Sequence, residues 1–368
     1  MKKTSRIMTV LPPKEGFSPD CVGAVGLLVR RLAQPNDLIV GRALTNLPFS
    51  GLRYLEISKN WFSIFMKNKA YRHGVAGFVK KYRPCLIEIH NRPEIALFIA
   101  QRFPRIPVTL TLHNDPLLMR GLKTSIERKK MLRKVHVVAV SQWVKDRFLS
   151  HHVTGNVTIL PNMIDFQEIP AYVPITERQR TILFVGRVVA DKGADLFVQI
   201  CEQFLQIDPT WTVEMIGADR FDVNSPQTPF IQQLKQQIKS KQIYMTGYLP
   251  YDQVLQKMAH ASAVIMPSRW SEPFGMTALE AMACGTPLLV SSVGALPQIV
   301  GQGGVFIDPK KTEQAAIMLS KLLNDIQLQQ ELSTKARQQA FLYNKPDALQ
   351  RLVAFRKRIC PALAVEYH

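Results

Sequence analysis

The sequence predicts an α/β protein made of two doubly wound, parallel-sheet domains facing a central cleft. Three features carry that expectation: chain length, strand–helix alternation, and one polar, Pro-containing break between two alternating series. The 368 residues leave room for two domains of ~150–200 residues each. A composition of 46% hydrophobic and 20% charged residues can fill two cores, which excludes disordered and collagen-like classes.

In the first series, apolar runs mark strands at 6–11, 37–41, 85–90, 108–113, 136–140 and 157–160. Helical spacing fills 93–103 and 141–151, with Ser141 placed to cap the latter. Residues 163–180, MIDFQEIPAYVPITERQR, then read as an inter-domain linker. Alternation resumes with strands at 181–185, 212–216, 243–246, 263–266, 288–291 and 305–307, and helices at 195–205 and 252–261 among them. This divides the chain into domains 1–162 and 181–345, with a final helical segment, 346–368, expected to pack back on the first domain. Such alternation implies parallel sheets covered on both faces, with ligands outside the carboxyl ends of the strands.

Residues 281–300 carry no formal charge but contain Gly285, Pro287, Gly294 and Pro297. They read as helix end, turn, buried strand and loop, not as a membrane span. The basic start MKKTSRIMTVLPP lacks the apolar core of a signal peptide. Cys21, Cys85, Cys201, Cys284 and Cys360 are scattered and outside any CxxC, consistent with a reducing compartment and no structural zinc site.

Charge is unevenly distributed. Residues 1–160 hold 27 Lys and Arg against 9 Asp and Glu, so they supply +18 of the net +19. Such a field attracts anionic lipid, phosphorylated acceptors or nucleic acid. The densest run, GLKTSIERKKMLRK at 121–134, sets Leu122, Ile126 and Met131 roughly on one side of a helix. It fits either an amphipathic membrane-surface helix or a solvated surface helix.

Two loops carry chemistry. The first follows a strand in Phe184-Val185-Gly186-Arg187 and continues to Asp191-Lys192-Gly193, where a helix begins. Arg187 and Lys192, beside helix N-terminal amides, suit an anion such as a diphosphate; taken alone, two solvated cations in a turn would be commoner. The second is SEPFGMTALEAMACGTPLL from Ser271, with Glu272 in a loop and Glu280 eight residues on, in the second turn of a helix opening near Gly275.

Glu-x7-Glu in this setting, with GRVVADKG and the preceding Pro161–Asp165 segment, resembles the retaining glycosyltransferases of the GT4 family (glycosyl transferases group 1). The resemblance is tight over about 157–310 and general over the N-terminal half. It implies the GT-B fold, two Rossmann-like domains of which the first binds acceptor and the second binds nucleotide sugar. It further implies that Arg187 and Lys192 hold the donor diphosphate, Glu280 the ribose hydroxyls and Glu272 the donor sugar, with the amides of Phe274, Gly275, Met276 and Thr277 on phosphates and sugar. Gly217 and Gly247 fall beside the nucleotide. His113, in Leu112-His113-Asn114-Asp115, corresponds to the family's histidine near the reacting sugar, and His90 takes a structural or acceptor-side role. Many relatives have a Gly-Gly loop after the first strand; here PPKEGFSPDCVGAVG departs from it, and Gly23 is the nearest equivalent.

The resemblance also implies front-face transfer from a UDP-linked donor without a covalent enzyme intermediate. No metal is expected, Arg187 and Lys192 filling its electrostatic role. A glycan or lipid-linked acceptor at the cytoplasmic face of the inner membrane, in lipopolysaccharide or exopolysaccharide biosynthesis, fits the basic first half. A GT-B sugar-nucleotide epimerase is the alternative, and a nucleic-acid-binding protein a weaker one. The almost neutral second half and the lack of zinc, RRM or KH signatures leave no nucleic-acid partner expected.

Overall fold

The computed structural model describes residues 6–19, 21–57, 67–219 and 227–365. Residues 1–5 of the basic start and 366–368 of the last expected segment lie outside them. The chain divides into two compact units, one of Met1–Asn162 with Pro346–His368, the other of Met163–Lys345.

The first unit begins with β1 (Ile7–Val10), a short antiparallel pair β2 (Phe17–Ser18) and β3 (Cys21–Val22), and α1 (Ala24–Leu32). There follow β4 (Leu38–Arg42), β5 (Arg53–Ile57), α2 (Lys67–Tyr82), β6 (Leu86–His90), α3 (Pro93–Arg102) and β7 (Val108–Leu112). Next come α4 (Ser125–Leu132), β8 (His136–Ala139), α5 (Gln142–Leu149) and β9 (Val157–Ile159). Among the described residues the main sheet has seven strands in the order β5-β4-β1-β6-β7-β8-β9, all parallel. Both β1 and β6 are buried throughout, as strands covered on both faces must be; β1 is apolar but for Thr9, whereas β6 interrupts its apolar residues with Glu88 and His90. Edge strand β5 was not anticipated: only Leu55 of its five residues is buried, so no apolar run marks it. Ser141 caps α5 as expected, its Oγ accepting from Val144 N at 3.1 Å.

The basic run holds α4, opened by a Thr124–Glu127 capping box. Its buried face differs from the apolar side read from the sequence. Leu122 and Met131 are buried, but Ile126 is 78% exposed. Arg128 is buried in its place, its guanidinium donating to the carbonyls of Leu122, Lys123 and Ser150 at 2.9–3.1 Å. Three carbonyl acceptors make this burial of a cation tolerable, and periodicity could not reveal them.

The second unit contains β10 (Gln179–Val185), α6 (Ala194–Ile207), β11 (Thr212–Ile216), α7 (Pro229–Gln237), β12 (Ile243–Gly247), α8 (Tyr251–His260) and β13 (Ala261–Met266). It continues through α9 (Met276–Ala283), β14 (Leu288–Ser291), α10 (Leu296–Val300), β15 (Val305–Ile307), α11 (Thr312–Asn324) and α12 (Ile326–Phe341). The parallel order is β12-β11-β10-β13-β14-β15. The core packs Phe184, Phe197, Phe204 and Met215 with Leu319 of α11. No described helix is long and apolar enough to cross a membrane.

Residues 163–180, read as a linker, group with this second unit. Met163 and Ile164 are fully buried, and Ile164 bridges Asn344. Arg178 is buried, donating to the carbonyls of Val173, Ala261 and Cys284 and to Thr286 Oγ1. The final helix α13 (Lys345–Ile359) lies almost wholly in the first unit and contributes Arg356 to its interior. That guanidinium, 3% exposed, meets Glu88 through Nε at 2.9 Å and Nη2 at 2.7 Å, with Asp37 4.0 Å from Nη1. Burial pushes the Asp37 carboxyl up to about 6 despite the arginine.

Candidate active site

In the second unit, strand order reverses between β10 and β13. Two adjacent parallel strands whose crossovers leave in opposite directions open a crevice at their carboxyl ends. Both motif loops start there. The loop after β10 runs through Arg187 and a 3-10 turn, Ala190–Lys192, into α6. Gly193 joins turn and helix at φ +70°, and a Cβ on it would strike the Pro267 carbonyl, so the two loops approach as closely as a glycine permits.

Arg269 fastens that approach. Its backbone N–H and that of Trp270 donate to Asp191 O at 2.9 and 3.0 Å, and its guanidinium donates to Ala190 O and forks onto Asp195 at 2.6 and 2.7 Å. Three residues on, Glu272 is 4% exposed. Lys192 Nζ donates to both its carboxylate oxygens, at 2.6 and 2.8 Å, and Ser268 Oγ donates to Oε1 at 2.8 Å. Cation and carboxylate, 80 residues apart in sequence, thus meet at the switch point. Arg187, half-buried, makes no side-chain hydrogen bond or ion pair among the described residues.

Phe274 is buried and Gly275 caps α9 at φ +96°. Amides in the first turn, Met276 and Thr277 included, have no acceptor within the helix and constitute a donor cluster at the positive end of the helix dipole. Glu280 is buried one turn further on, 8% exposed. Gly217 follows β11 and donates its N–H to the carbonyl of Gly247, the last residue of β12, at 2.7 Å. Ser268, Arg269 and Asp195 were not singled out in the sequence. Ser268 and Arg269 precede the glutamate motif, but only the fold reveals that they hold Glu272 and the cationic loop.

The other expected residues lie in the first unit. Gly23 is the N-cap of α1, and its amide and that of Gly26 (2.9 Å) are taken by the Glu15 carboxylate. Burial raises the Glu15 pKa, against the opposing effect of those amides. The helix opening expected to approach donor phosphate is therefore satisfied by the chain's own side chain. His90 ends β6, and His113 follows β7 on the adjacent strand. His90 Nδ1 lies 2.8 Å from His113 Nε2, with the rings 5.1 Å apart. Asn91, in the left-handed region at φ +53°, accepts from His113 N at 2.8 Å.

Burial, aided by the charge of Arg356, lowers the His90 pKa to about 4. Burial and then His90 hold His113 well below its ordinary value, so both rings are neutral at pH 7. For His90 the unfolded chain binds a proton between pH 6.5 and about 4 that the folded chain does not. Its contribution is complete above 6.5 and is lost as pH falls toward 4, on the order of 3 kcal/mol. Asp37 acts in the opposite sense over part of that window, being protonated in the fold up to about 6. Urea unfolding of the wild type and His90→Gln across pH 4–7 isolates the histidine: the wild type should lose more stability on acidification. Parallel profiles would refute a buried neutral His90.

Comparison with known proteins gives matches over most of the chain. The family model described as Glycosyl transferases group 1 matches residues 165–339, and Glycosyltransferase Family 4 matches 48–168. A glycogen synthase of Mycobacterium tuberculosis is 27% identical over 288 residues, covering 71% of this chain and 66%, just under two thirds, of that relative. Among solved structures, a sucrose-phosphate synthase from Thermosynechococcus elongatus superposes with a TM-score of 0.78 at 18% identity, covering 97% of this chain and all of that one. HepE of Anabaena, in complex with UDP-glucose, gives 0.76 at 17% identity over 96% and 99% of the two chains.

Proposed function

Because this chain belongs to the GT4 family of glycosyltransferases, with the GT-B fold, we propose that it moves a sugar from a UDP-linked donor to a hydroxyl of a glycan or lipid-linked acceptor, retaining the anomeric configuration. The observation that carries this reading is the Lys192–Glu272 pair at the switch point of the second unit. Breaking the bond from anomeric carbon to phosphate puts positive charge on the carbon and negative charge on the departing diphosphate. Arg187, Lys192 and the first amides of α9 are preorganised donors for the latter. Glu272 orients the sugar hydroxyls and Glu280 the ribose. Gly217 and Gly247 let the backbone run beside the nucleotide. In front-face transfer the acceptor hydroxyl attacks on the side the diphosphate leaves, and its proton passes to a leaving phosphate oxygen. His113 serves the sugar from the first unit. Gly23 remains the first unit's candidate for a phosphate contact, which requires Glu15 to yield its amides. The presence of UDP-glucose in the HepE structure supports the choice of carrier.

Charge supports the acceptor side. The first 160 residues carry +18, and α4 with its flanks exposes Lys123, Lys129, Lys130, Arg133 and Lys134 around the exposed Ile126. We assign this surface to anionic lipid at the cytoplasmic face of the inner membrane, with an acceptor of lipopolysaccharide core or exopolysaccharide repeat assembly.

Two measurements test the proposal. Nucleotide release from a panel of nucleotide sugars should occur with UDP-linked donors, rise on adding membrane extract, and persist in excess chelator. Donor consumption indifferent to every extract would argue for a different reaction. The protein should bind anionic vesicles, losing binding as salt rises through the range in which the Debye length falls from about 10 to about 3 Å. Equal binding to neutral vesicles would remove the membrane assignment.

A further inference from the structure

A group of buried polar side chains behind His113 has no task in the transfer reaction. A cavity of about 60 Å³ in the first unit is lined by apolar residues of α1 and α13 and by polar ones that include His90, Asn162, Thr111, Glu88 and Arg356. Asn162 is 8% exposed, and its Oδ1 makes no hydrogen bond of good geometry among the described residues. It lies near enough to His113 to favour that ring's protonated form, as an acceptor beside a ring N–H does.

These contacts assign the ring protons. Two neutral imidazoles sharing one hydrogen bond must divide the roles of donor and acceptor. His90 contributes Nδ1 to the bond and His113 contributes Nε2, which leaves Nε2 of His90 and Nδ1 of His113. The His90 ring borders the cavity that also holds the Arg356 guanidinium. Glu88, bonded to that guanidinium, lines the same cavity, so the proton assignment comes from the His113 side of the pair. The acceptor Oδ1 of Asn162 favours a proton on the His113 nitrogen that His90 does not contact, so His113 Nε2 offers its lone pair and the His90 proton lies on Nδ1, donated to it. The proton of His113 is then confined to Nδ1, beside the open acceptor Oδ1 of Asn162.

We propose that His90 is a positioning residue whose Nδ1–H, donated to His113 Nε2, holds His113 as the Nδ1–H tautomer with that N–H turned to Asn162. The consequence for transfer rests on the reading of His113 as the histidine serving the donor sugar. In that form neither ring nitrogen of His113 can take the acceptor's proton, since Nδ1 carries one and the Nε2 lone pair is engaged. The proton is left to the departing phosphate.

Long-range proton–nitrogen correlation spectra of the full-length 15N-labelled protein at neutral pH test this directly. In the wild type, His113 should show a protonated Nδ1 and an unprotonated Nε2. His90→Phe cannot donate and should shift His113 to the Nε2–H form, whereas His90→Gln, which keeps an N–H donor, should preserve Nδ1–H. Turnover should follow the tautomer, with kcat down about tenfold in His90→Phe, largely recovered in His90→Gln, and donor KM changed less than about twofold in both. An Nε2–H tautomer in the wild type, or an unchanged His113 tautomer in His90→Phe, overturns the proposal. Full activity in His113→Ala would instead defeat the sugar-side reading, a result separable from the spectra.

Discussion

Lys192→Ala is expected to lower turnover by about 10²–10³-fold while the protein stays folded, the loss typical of removing one preorganised donor from a developing anion. The ammonium contacts both oxygens of a carboxylate that is itself 4% exposed. Its removal leaves Glu272 with Ser268 as its other side-chain donor, so a stability cost of about 1–3 kcal/mol should accompany the kinetic effect. Glu272→Ala should cost a similar factor in rate for a different reason: the sugar loses its orienting carboxylate, and the lysine its partner. Since the two side chains work as a unit, Lys192→Ala/Glu272→Ala should be no slower than about tenfold below the worse single variant. Steady-state nucleotide release, alongside thermal melts to establish folding, measures all three. Near wild-type rates in either single variant would remove the pair from the mechanism.

Arg356→Ala should destabilise the protein by about 3–5 kcal/mol, the effect of stranding a buried charge. Glu88 is 7% and Asp37 3% exposed, and the arginine is the cation that the structure gives Glu88. Arg356→Met combined with Glu88→Leu should recover most of that loss, because a buried ion pair is often replaceable by apolar groups although neither half is dispensable. Urea unfolding with the slope monitored reads both variants. A loss below about 1 kcal/mol in Arg356→Ala would mean that water reaches the pair and that its burial is nominal.

The strand–helix series and the two motif loops were legible in the sequence because each is a local signal. Largely apolar runs mark β1, β13 and β14, and glycines at Gly193 and Gly275 mark where each loop turns into its helix. What stayed hidden depends on pairs far apart in the chain. Residue spacing does not signal that backbone carbonyls, near and distant, will solvate Arg128 and Arg178, so a basic run reads as surface and 163–180 as a linker. The Arg269–Asp195 fork joins residues 74 positions apart, and the two histidines are 23 apart. Each looks unremarkable until parallel pairing brings neighbouring strand ends together. Glu15 was invisible for the opposite reason: a carboxylate 11 residues before an amide gives no capping-box spacing to notice.

The Arg356–Glu88 bond spans 268 residues. At a ribosomal rate of about 5–20 residues per second, roughly 10–50 s separate the emergence of the glutamate from that of its arginine. The second unit, contiguous in the chain, is available for folding before the first has received its last helix. Through that interval Glu88 lacks the guanidinium that neutralises it in the folded protein, and the first unit lacks the helix that carries that guanidinium.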